Sequence, residues 1–212
     1  MNPDKTYHIY TRANGDEGLF KIPENFRYFL KRYHDFITPI ADTYAYCLMP
    51  NHVHFLLRIK TQSEIVKLST DQTSKVFKNL GGLSLESVNE SNQKFSKFLS
   101  QQFSNLFNAY SKAFNKMYSR KGSLFAPNFK RKEITSQEYF KNVVIYIHQN
   151  PIRHGFAEKL TDWPWTSYQA ILVDLPTHLK RKEILELFSN SIEYIHLHNH
   201  PIPKEIMAKI GA

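Results

Sequence analysis

The sequence predicts an α+β fold of ferredoxin-like type, in which helices pack on an antiparallel sheet. Two apolar runs follow one another across a Pro-Asn turn, as in a pair of antiparallel strands. Amphipathic helical segments occupy much of the rest, with little sign of the regular strand–helix alternation of parallel sheets. We expect one domain over residues 1–175, followed by a C-terminal helical extension and a His-rich tail at 176–212.

The N-terminal segment predicts a strand, a turn and a helix. Alternating residues in KTYHIYTR indicate the strand, and the Asn14-Gly15 turn predicts a hairpin to a second extended piece around Leu19 and Phe20. Pro23 suits the first turn of a helix. The apolar face of that helix recurs every three to four residues, at Phe26, Phe29, Leu30 and Tyr33.

The next elements are two strands, at 43–49 and 52–59, joined at Pro50-Asn51. Residues 61–93 are rich in Ser, Thr, Asn, Gln and Lys, which predicts a polar insertion or loop with at most local helix. Between 94 and about 118 the apolar residues keep a helical period over six or more turns, which predicts a long helix with Gly122 as its C-cap.

The C-terminal half continues with an extended segment at 124–134. Thr135 or Ser136 can cap the helix that follows, and we expect this helix to end at Asn150, because Pro151 disfavours helix in the residue before it. A further helix is predicted around 182–188.

The composition favours a polyanionic partner. There are 28 Lys and Arg against 19 Asp and Glu, a formal net charge of +9, which suits nucleic acid or an anionic membrane surface. No apolar run approaches the roughly 20 residues of a membrane span, and the N-terminus lacks the apolar core of a signal peptide, so we expect a cytoplasmic protein. Cys47 is the single cysteine, which excludes an intrachain disulfide and a thiolate zinc cluster.

The strand HVHFLLRI carries a pair of histidines that could bind a metal ion. His52 and His54 point to one face of the strand, and the alternate residues are apolar. Side chains spaced about 7 Å apart along a strand can converge on one ion, although such pairs are more often structural. The same spacing recurs at His196 and His198, continued by His200, where the C-terminal position favours a solvated tail.

The helix SQEYFKNVVIYIHQNP supplies further polar groups. Tyr139, Tyr146 and Asn150 align along one margin of its apolar stripe, so a phenol and an amide would emerge together beside the sheet. On geometry alone, two tyrosines that pack their rings and expose their hydroxyls are an equal alternative.

Four motifs carry a family resemblance. They are MPNHVHFLL at 49–57, GSLFAPNFKRKEI at 122–134, YIHQNPIRHGFA at 146–157 and DWPWTSY at 162–168. Together they resemble the single-tyrosine HUH transposases of the insertion-sequence-200-like superfamily, most closely the REP-associated tyrosine transposases. The resemblance covers residues 5–170 and implies the HUH endonuclease fold.

The resemblance implies a metal-dependent single-stranded DNA endonuclease and strand transferase. Mg²⁺ or Mn²⁺ would be held by His52, His54 and Asn150, and Tyr146 would attack the DNA to form a 5′-phosphotyrosine. Insertion-sequence members usually carry Gln where this chain has Asn150. His148 and Gln149 therefore stay open as third ligands, and Tyr139 is a lesser rival nucleophile.

The implied substrate is single-stranded DNA with hairpin ends or REP-like repeats. Phe125, Trp163 and Trp165 could stack on unpaired bases, or the two tryptophans could hold their loop on the core. Relatives act as dimers or as monomers, so a homodimer is one expectation. The predicted DNA-binding residues are Arg120, Lys121, Lys130, Arg131, Lys132 and Arg153, with His154 beside them.

Two other functions compete with this one. The chain could be a domesticated relative that keeps the fold and binds nucleic acid without cleaving it. It could instead be a zinc hydrolase that uses His52, His54 and His148.

Overall fold

The computed structural model describes residues 1–71 and 92–210. The elements in chain order are β1 (Thr6–Arg12), α1 (Pro23–Phe36), β2 (Ala41–Leu48), β3 (His52–Ile59), α2 (Gln62–Asp71), α3 (Asn92–Met117), β4 (Lys130–Glu133), α4 (Gln137–Arg153), α5 (Tyr168–Leu172), α6 (Arg181–Leu187), α7 (Ser191–His198) and α8 (Lys204–Ile210). A 3₁₀ turn, Leu160–Asp162, lies between α4 and α5.

The strands form one antiparallel sheet in the order β2-β3-β1-β4. The central strand β1 places Tyr10 opposite His54 on β3 and opposite Lys130 on β4. All residues of β4 are exposed, and its basic side chains discourage the sheet edge from pairing with another chain. This arrangement confirms the predicted α+β fold with helices on an antiparallel sheet.

The two faces of the sheet are covered by different helices. Helices α1 and α3 pack on one face around a core that includes Phe29, Phe55 and Phe103. Helix α4 packs on the other face, where Val143, Val144 and Ile147 meet Leu56 of β3. Because successive residues of a strand point to opposite faces, the side chains of β3 divide between these two layers.

The predicted N-terminal hairpin is wrong. Leu19 and Phe20 are buried, but their backbone N–H groups donate to the carbonyl of Pro50 rather than to β1. The reason is that β1 already pairs with β3 on one side and β4 on the other, so no edge is left for a hairpin partner.

Two predicted helix ends are also wrong. Helix α3 ends at Met117 and Ser119 takes the left-handed conformation (φ 50°), whereas Gly122 lies in the following loop. Helix α4 continues through Pro151 to Arg153. Proline within the last turn removes one hydrogen-bond donor, and the N–H of His154 restores the pattern by donating to the carbonyl of Asn150.

The C-terminal segment packs against α4 rather than extending into solvent. Apolar residues from three of its helices, among them Ile184, Tyr194 and Ile210, join the α4 core. His198 is 1% exposed, so the expected solvated tail is wrong at this residue. The domain boundary at 175 stays a prediction.

The polar insertion begins as a helix, because α2 covers its first part, and residues 72–91 lie outside the described residues. Over the described ranges, no helix is long and apolar enough to cross a membrane.

Candidate active site

The histidines of β3 and the tyrosine of α4 meet on one face of the sheet. The ring centroid of Tyr146 lies 5.5 Å from that of His54, and the centroids of His52 and His54 are 5.0 Å apart. Val53 and Phe55 point into the core on the opposite face. The alternation of β3 and the periodicity of α4 thus bring together two residues that are 92 positions apart in the sequence, His54 and Tyr146.

Asn150 lies one turn after Tyr146 and is 0% exposed. Its Nδ2 donates to the carbonyl of Tyr146 at 2.8 Å. Its Oδ1 is buried and has no hydrogen-bond partner in the described structure. A buried amide oxygen without a donor is costly, and a metal ion is one group that could satisfy it.

His52, His54 and Tyr146 line a cavity of about 840 Å³ between the strands, α4 and α8, and the buried amide of Asn150 lies next to His52 and Tyr146. The residues that line it include Tyr10, Asn51, His52, His54, Lys130, Tyr146, Arg153, His154 and Met207.

The imidazoles in this cavity are neutral at physiological pH. Burial, and then the charge of His154, lower the pKa of His52 to about 4, although the Asn150 amide partly opposes the shift. Burial lowers the pKa of His54 well below its usual value, and His8 adds to the effect. A neutral imidazole keeps a lone pair for a metal ion.

Tyr146 is 4% exposed, and burial raises the pKa of its phenol. The positive charge of Arg153, whose guanidinium carbon lies 5.5 Å from the centre of the ring, and the amide of Asn150 oppose that rise. The phenol is therefore protonated at neutral pH. It needs a further positive charge nearby to become a good nucleophile.

Hydrogen bonds orient both histidine rings. The Nδ1–H of His52 donates to Oδ1 of Asn51 at 2.7 Å, which leaves Nε2 as its ligand atom. Nδ1 of His54 lies 2.9 Å from Nε2 of His8, so Nε2 of His54 is the nitrogen left for the cavity. His8 and Tyr10 are not among the predicted site residues, although the alternation of β1 places both on this face of the sheet.

The competing third ligands are engaged elsewhere. His148 bonds to His198 through Nδ1 and to Ser167 through Nε2, and Gln149 donates to the carbonyls of His198 and His200. Asn150 differs from both, because its buried Oδ1 has no hydrogen-bond partner among the described residues. The zinc trio of His52, His54 and His148 is therefore not brought together. Within 1–71 and 92–210, no group of three or more His, Cys, Asp and Glu side chains could hold a metal ion.

The rival tyrosine is also separated from the histidines. Tyr139 lines a neighbouring pocket, and its hydroxyl lies 3.5 Å from the carbonyl of Lys209.

The predicted DNA-binding residues fall in different places. Lys130 and Arg153 line the cavity, whereas Arg131 lines an adjoining groove. Lys132 donates to the carbonyl of Lys209, and Lys121 is exposed. Arg120 is the most constrained, because its guanidinium is paired with Glu17 and donates to neighbouring carbonyls.

The two tryptophans hold their loop on the core. Nε1 of Trp163 donates to the carbonyl of Leu48 at 3.0 Å, and Trp165 stacks on Phe26 with ring centroids 4.5 Å apart. Phe125 is buried in the same core. The structure therefore favours the packing role over base stacking for these aromatic residues.

A solved structure shares this fold. It is a REP-associated tyrosine transposase bound to a REP hairpin, which aligns with a TM-score of 0.51 and 15% identity over 82% of this chain and 84% of that chain. This chain therefore shares the fold of that protein, an antiparallel sheet covered by helices.

Sequence comparison points to the same branch. A protein of Haemophilus influenzae named as a REP-associated tyrosine transposase is 23% identical over 132 residues, which cover 60% of this chain and 58% of that relative. No model of a known protein family matches the chain. The predicted resemblance to REP-associated tyrosine transposases is confirmed by both relatives.

Proposed function

We propose that the protein is a metal-dependent transposase that nicks and joins single-stranded DNA through a 5′-phosphotyrosine. The observation that carries the proposal is that His52, His54 and Tyr146 meet on one cavity, with the buried amide of Asn150 next to His52 and Tyr146. The similarity to REP-associated tyrosine transposases supports it.

The donor set fits a divalent ion such as Mg²⁺ or Mn²⁺. Two neutral imidazoles and the unpartnered Oδ1 of Asn150 are uncharged ligands, so they leave the ion's positive charge undiminished. When bound, the ion would supply positive charge to the scissile phosphate and favour the phenolate of Tyr146. His52, His54 and Asn150 would hold it.

In the proposed reaction, the hydroxyl oxygen of Tyr146 attacks the scissile phosphorus. The new bond is a phosphotyrosine ester, the bond that breaks is the one from phosphorus to the 3′-oxygen, and the phenol loses its proton while the leaving oxygen gains one. Arg153 lies over the tyrosine ring and opposes the burial that disfavours the phenolate. The ester keeps the energy of the phosphodiester, so a second DNA end can reseal the strand.

The proposed substrate is DNA with hairpin ends or REP-like repeats, by analogy with the REP hairpin in the solved structure. Lys130 and Arg153 are the proposed phosphate contacts inside the cavity, and Lys121, Arg131 and Lys132 are proposed contacts outside it. Lys130→Ala should weaken binding similarly on all sequences and reduce the salt slope by about 1. Lys182→Ala, on the exposed surface of α6, is the matched control.

The decisive experiment is an adduct assay. The protein is incubated with hairpin-bearing single-stranded DNA and Mn²⁺, and covalent complexes are separated under denaturing conditions. Wild type should form an adduct that Tyr146→Phe abolishes, whereas Tyr139→Phe, one pocket away, should retain it.

The second candidate is a domesticated protein that binds the hairpin without cleaving it. The burial of Tyr146 is the observation that favours it, since only 4% of the residue is exposed. Hairpin binding without any adduct from wild type, across a library of hairpins, would establish that function and exclude the first.

A further inference from the structure

We infer that His8 is a positioning residue, which orients the ring of His54 so that Nε2 of His54 can bind the metal ion. The inference rests on the proposed function of the cavity. It concerns a residue that does not itself line the cavity and that lies on β1, outside the motifs that indicate the site.

The first support is the contact itself. Nε2 of His8 lies 2.9 Å from Nδ1 of His54, and the two rings are stacked with centroids 5.1 Å apart. Tyr10 is also stacked with His8, with ring centroids 4.9 Å apart, and the ring of Tyr146 meets His8 in a T-shaped contact with centroids 5.9 Å apart. His8 is 0% exposed, so water does not offer His54 an alternative partner from this side.

The second support is what His8 lacks. Its other ring nitrogen, Nδ1, is buried and has no hydrogen-bond partner in the described structure. An imidazole that served only to fill the core would leave this polar atom unsatisfied for no gain, since an apolar side chain would fill the same space. The single polar contact that His8 makes is therefore the one that explains an imidazole at this position.

The chemistry of metal binding gives that contact a direction. An imidazole that ligates through Nε2 carries its proton on Nδ1 and donates it to a neighbouring group. In the metal-bound form, Nδ1–H of His54 would thus donate to Nε2 of His8, and the proton of His8 would sit on its Nδ1. His8 is neutral, so unlike a carboxylate it would not reduce the charge of the ion.

The test compares side chains at position 8 that place a polar atom at different distances from the backbone. His8→Leu removes both nitrogens, His8→Gln retains a polar atom near the place of Nε2, and His8→Asn retains one near the place of Nδ1 only. The affinity for Mn²⁺ is measured on the full chain without DNA, by electron paramagnetic resonance titration. His198→Gln changes another buried histidine pair, remote from the cavity, and serves as the matched control.

We expect His8→Leu and His8→Asn to weaken Mn²⁺ binding about 10- to 100-fold. His8→Gln should keep most of the affinity, and the control should match wild type. Equal binding by wild type and His8→Leu would overturn the inference, as would equal losses in the Gln and Asn variants. If His8→Leu does not fold, the comparison of Gln with Asn still decides.

A second measurement reads the position of the protons. With diamagnetic Mg²⁺ bound, nitrogen NMR of the histidine rings should show the protons of both His8 and His54 on Nδ1. A proton on Nε2 of His8 in that state contradicts the inference. The two ideas can fail separately. If the wild-type chain binds no Mn²⁺ and forms no adduct, both the proposed function and the role of His8 are contradicted. If Mn²⁺ binds equally well with and without His8, only the role of His8 is contradicted.

Discussion

Among the residues that the structure describes, two pairs of buried histidines differ in whether every ring nitrogen has a hydrogen-bond partner. His148 and His198 join α4 to α7, and His8 and His54 lie side by side in the sheet. Each pair has a contact of 2.9 Å between Nδ1 of one ring and Nε2 of the other. All four nitrogens of the first pair are bonded, whereas Nδ1 of His8 in the second pair has no partner.

The bonds of the first pair form a chain with one direction. The carbonyl of Tyr194 can only accept, so Nδ1–H of His198 donates to it at 2.7 Å and Nε2 of His198 must accept from Nδ1–H of His148. Nε2 of His148 then accepts from the hydroxyl of Ser167 at 2.7 Å. This serine–histidine–histidine order is also found in nucleophile relays. Here each of the three residues is at most 1% exposed, so no substrate can reach the hydroxyl.

The difference between the pairs distinguishes histidines that stabilise the fold from histidines that serve a binding site. A fully bonded chain of buried polar groups stabilises the fold and fixes one arrangement of the side chains. A pair that leaves nitrogens without partners stabilises less, but it can offer a lone pair to a ligand. Only the second pair lies beside Tyr146, and its His54 lines the cavity.

The largest effect on stability is expected for His148→Leu. The substitution leaves Nε2 of His198 without its donor, and it leaves the Ser167 hydroxyl only the longer contact to the Tyr46 carbonyl at 3.3 Å. Each buried polar group that loses its partner costs about 1 to 3 kcal/mol, so we expect a loss of about 2 to 4 kcal/mol in the free energy of unfolding. Urea unfolding, followed by circular dichroism, measures it.

Mn²⁺ affinity should be unchanged in the folded fraction of that variant. A loss below about 1 kcal/mol would mean that the bonds of this pair contribute little, contrary to the comparison.

The next effect concerns the pH dependence of stability. Burial lowers the pKa of His198 to about 4, against 6.5 for a free imidazole, although its bond to the Tyr194 carbonyl partly opposes the shift. Below pH 6.5 the unfolded chain binds a proton that the folded chain excludes. The contribution of this histidine is therefore fully present above pH 6.5 and is lost as the pH falls towards 4.

The matched variant for this effect is His198→Gln. Its stability should fall less steeply with decreasing pH than that of wild type, by at most about 1.4 kcal/mol per pH unit, with the largest difference in the middle of the window from 6.5 to 4. Unfolding curves at a series of pH values measure the two slopes. Parallel slopes would show that His198 takes up its proton in the folded state.

Much of the fold could be predicted from local pattern. Apolar residues recur with a period of two in β3 and of 3.6 in α3 and α4, because one face of each element is buried. This spacing can be read directly from the sequence. The hairpin at Asn14-Gly15 could not be judged in this way. Whether its second arm pairs depends on which strands already flank β1, and one of them, β4, lies more than a hundred residues away.

The site was predictable where a motif or a strand's alternation indicated it. His52, His54 and Tyr146 carry such signals, and they meet as the alternation requires. The role of His198 was not predictable, because its neighbours His196 and His200 are exposed and the segment has the composition of a tail. Burial of one histidine among three is decided by the packing of α7 on α4, which no local pattern encodes.

A smaller effect is expected at the margin of the bonded chain. The hydroxyl of Tyr194 lies 3.2 Å from Nδ1 of His148 and 3.4 Å from the carbonyl of Tyr168, and both contacts are long. Tyr194→Phe keeps the ring and removes these contacts, so it should lower the free energy of unfolding by about 0.5 to 1 kcal/mol. Tyr28→Phe, on the exposed side of α1, is the control. A cost near that of His148→Leu would show that Tyr194 is central to the network.

The smallest effect is expected for the same substitution in the other pair, His8→Leu. It removes the unsatisfied Nδ1 of His8 and leaves Nδ1 of His54 without a partner, so one buried nitrogen is unsatisfied before the change and one after it. The free energy of unfolding should stay within about 0.5 kcal/mol of wild type, as urea unfolding without metal can measure. A cost of several kcal/mol would make this pair structural, like the first, and would remove the contrast between them. Near-neutral stability together with weaker Mn²⁺ binding is the combination that only a positioning residue produces.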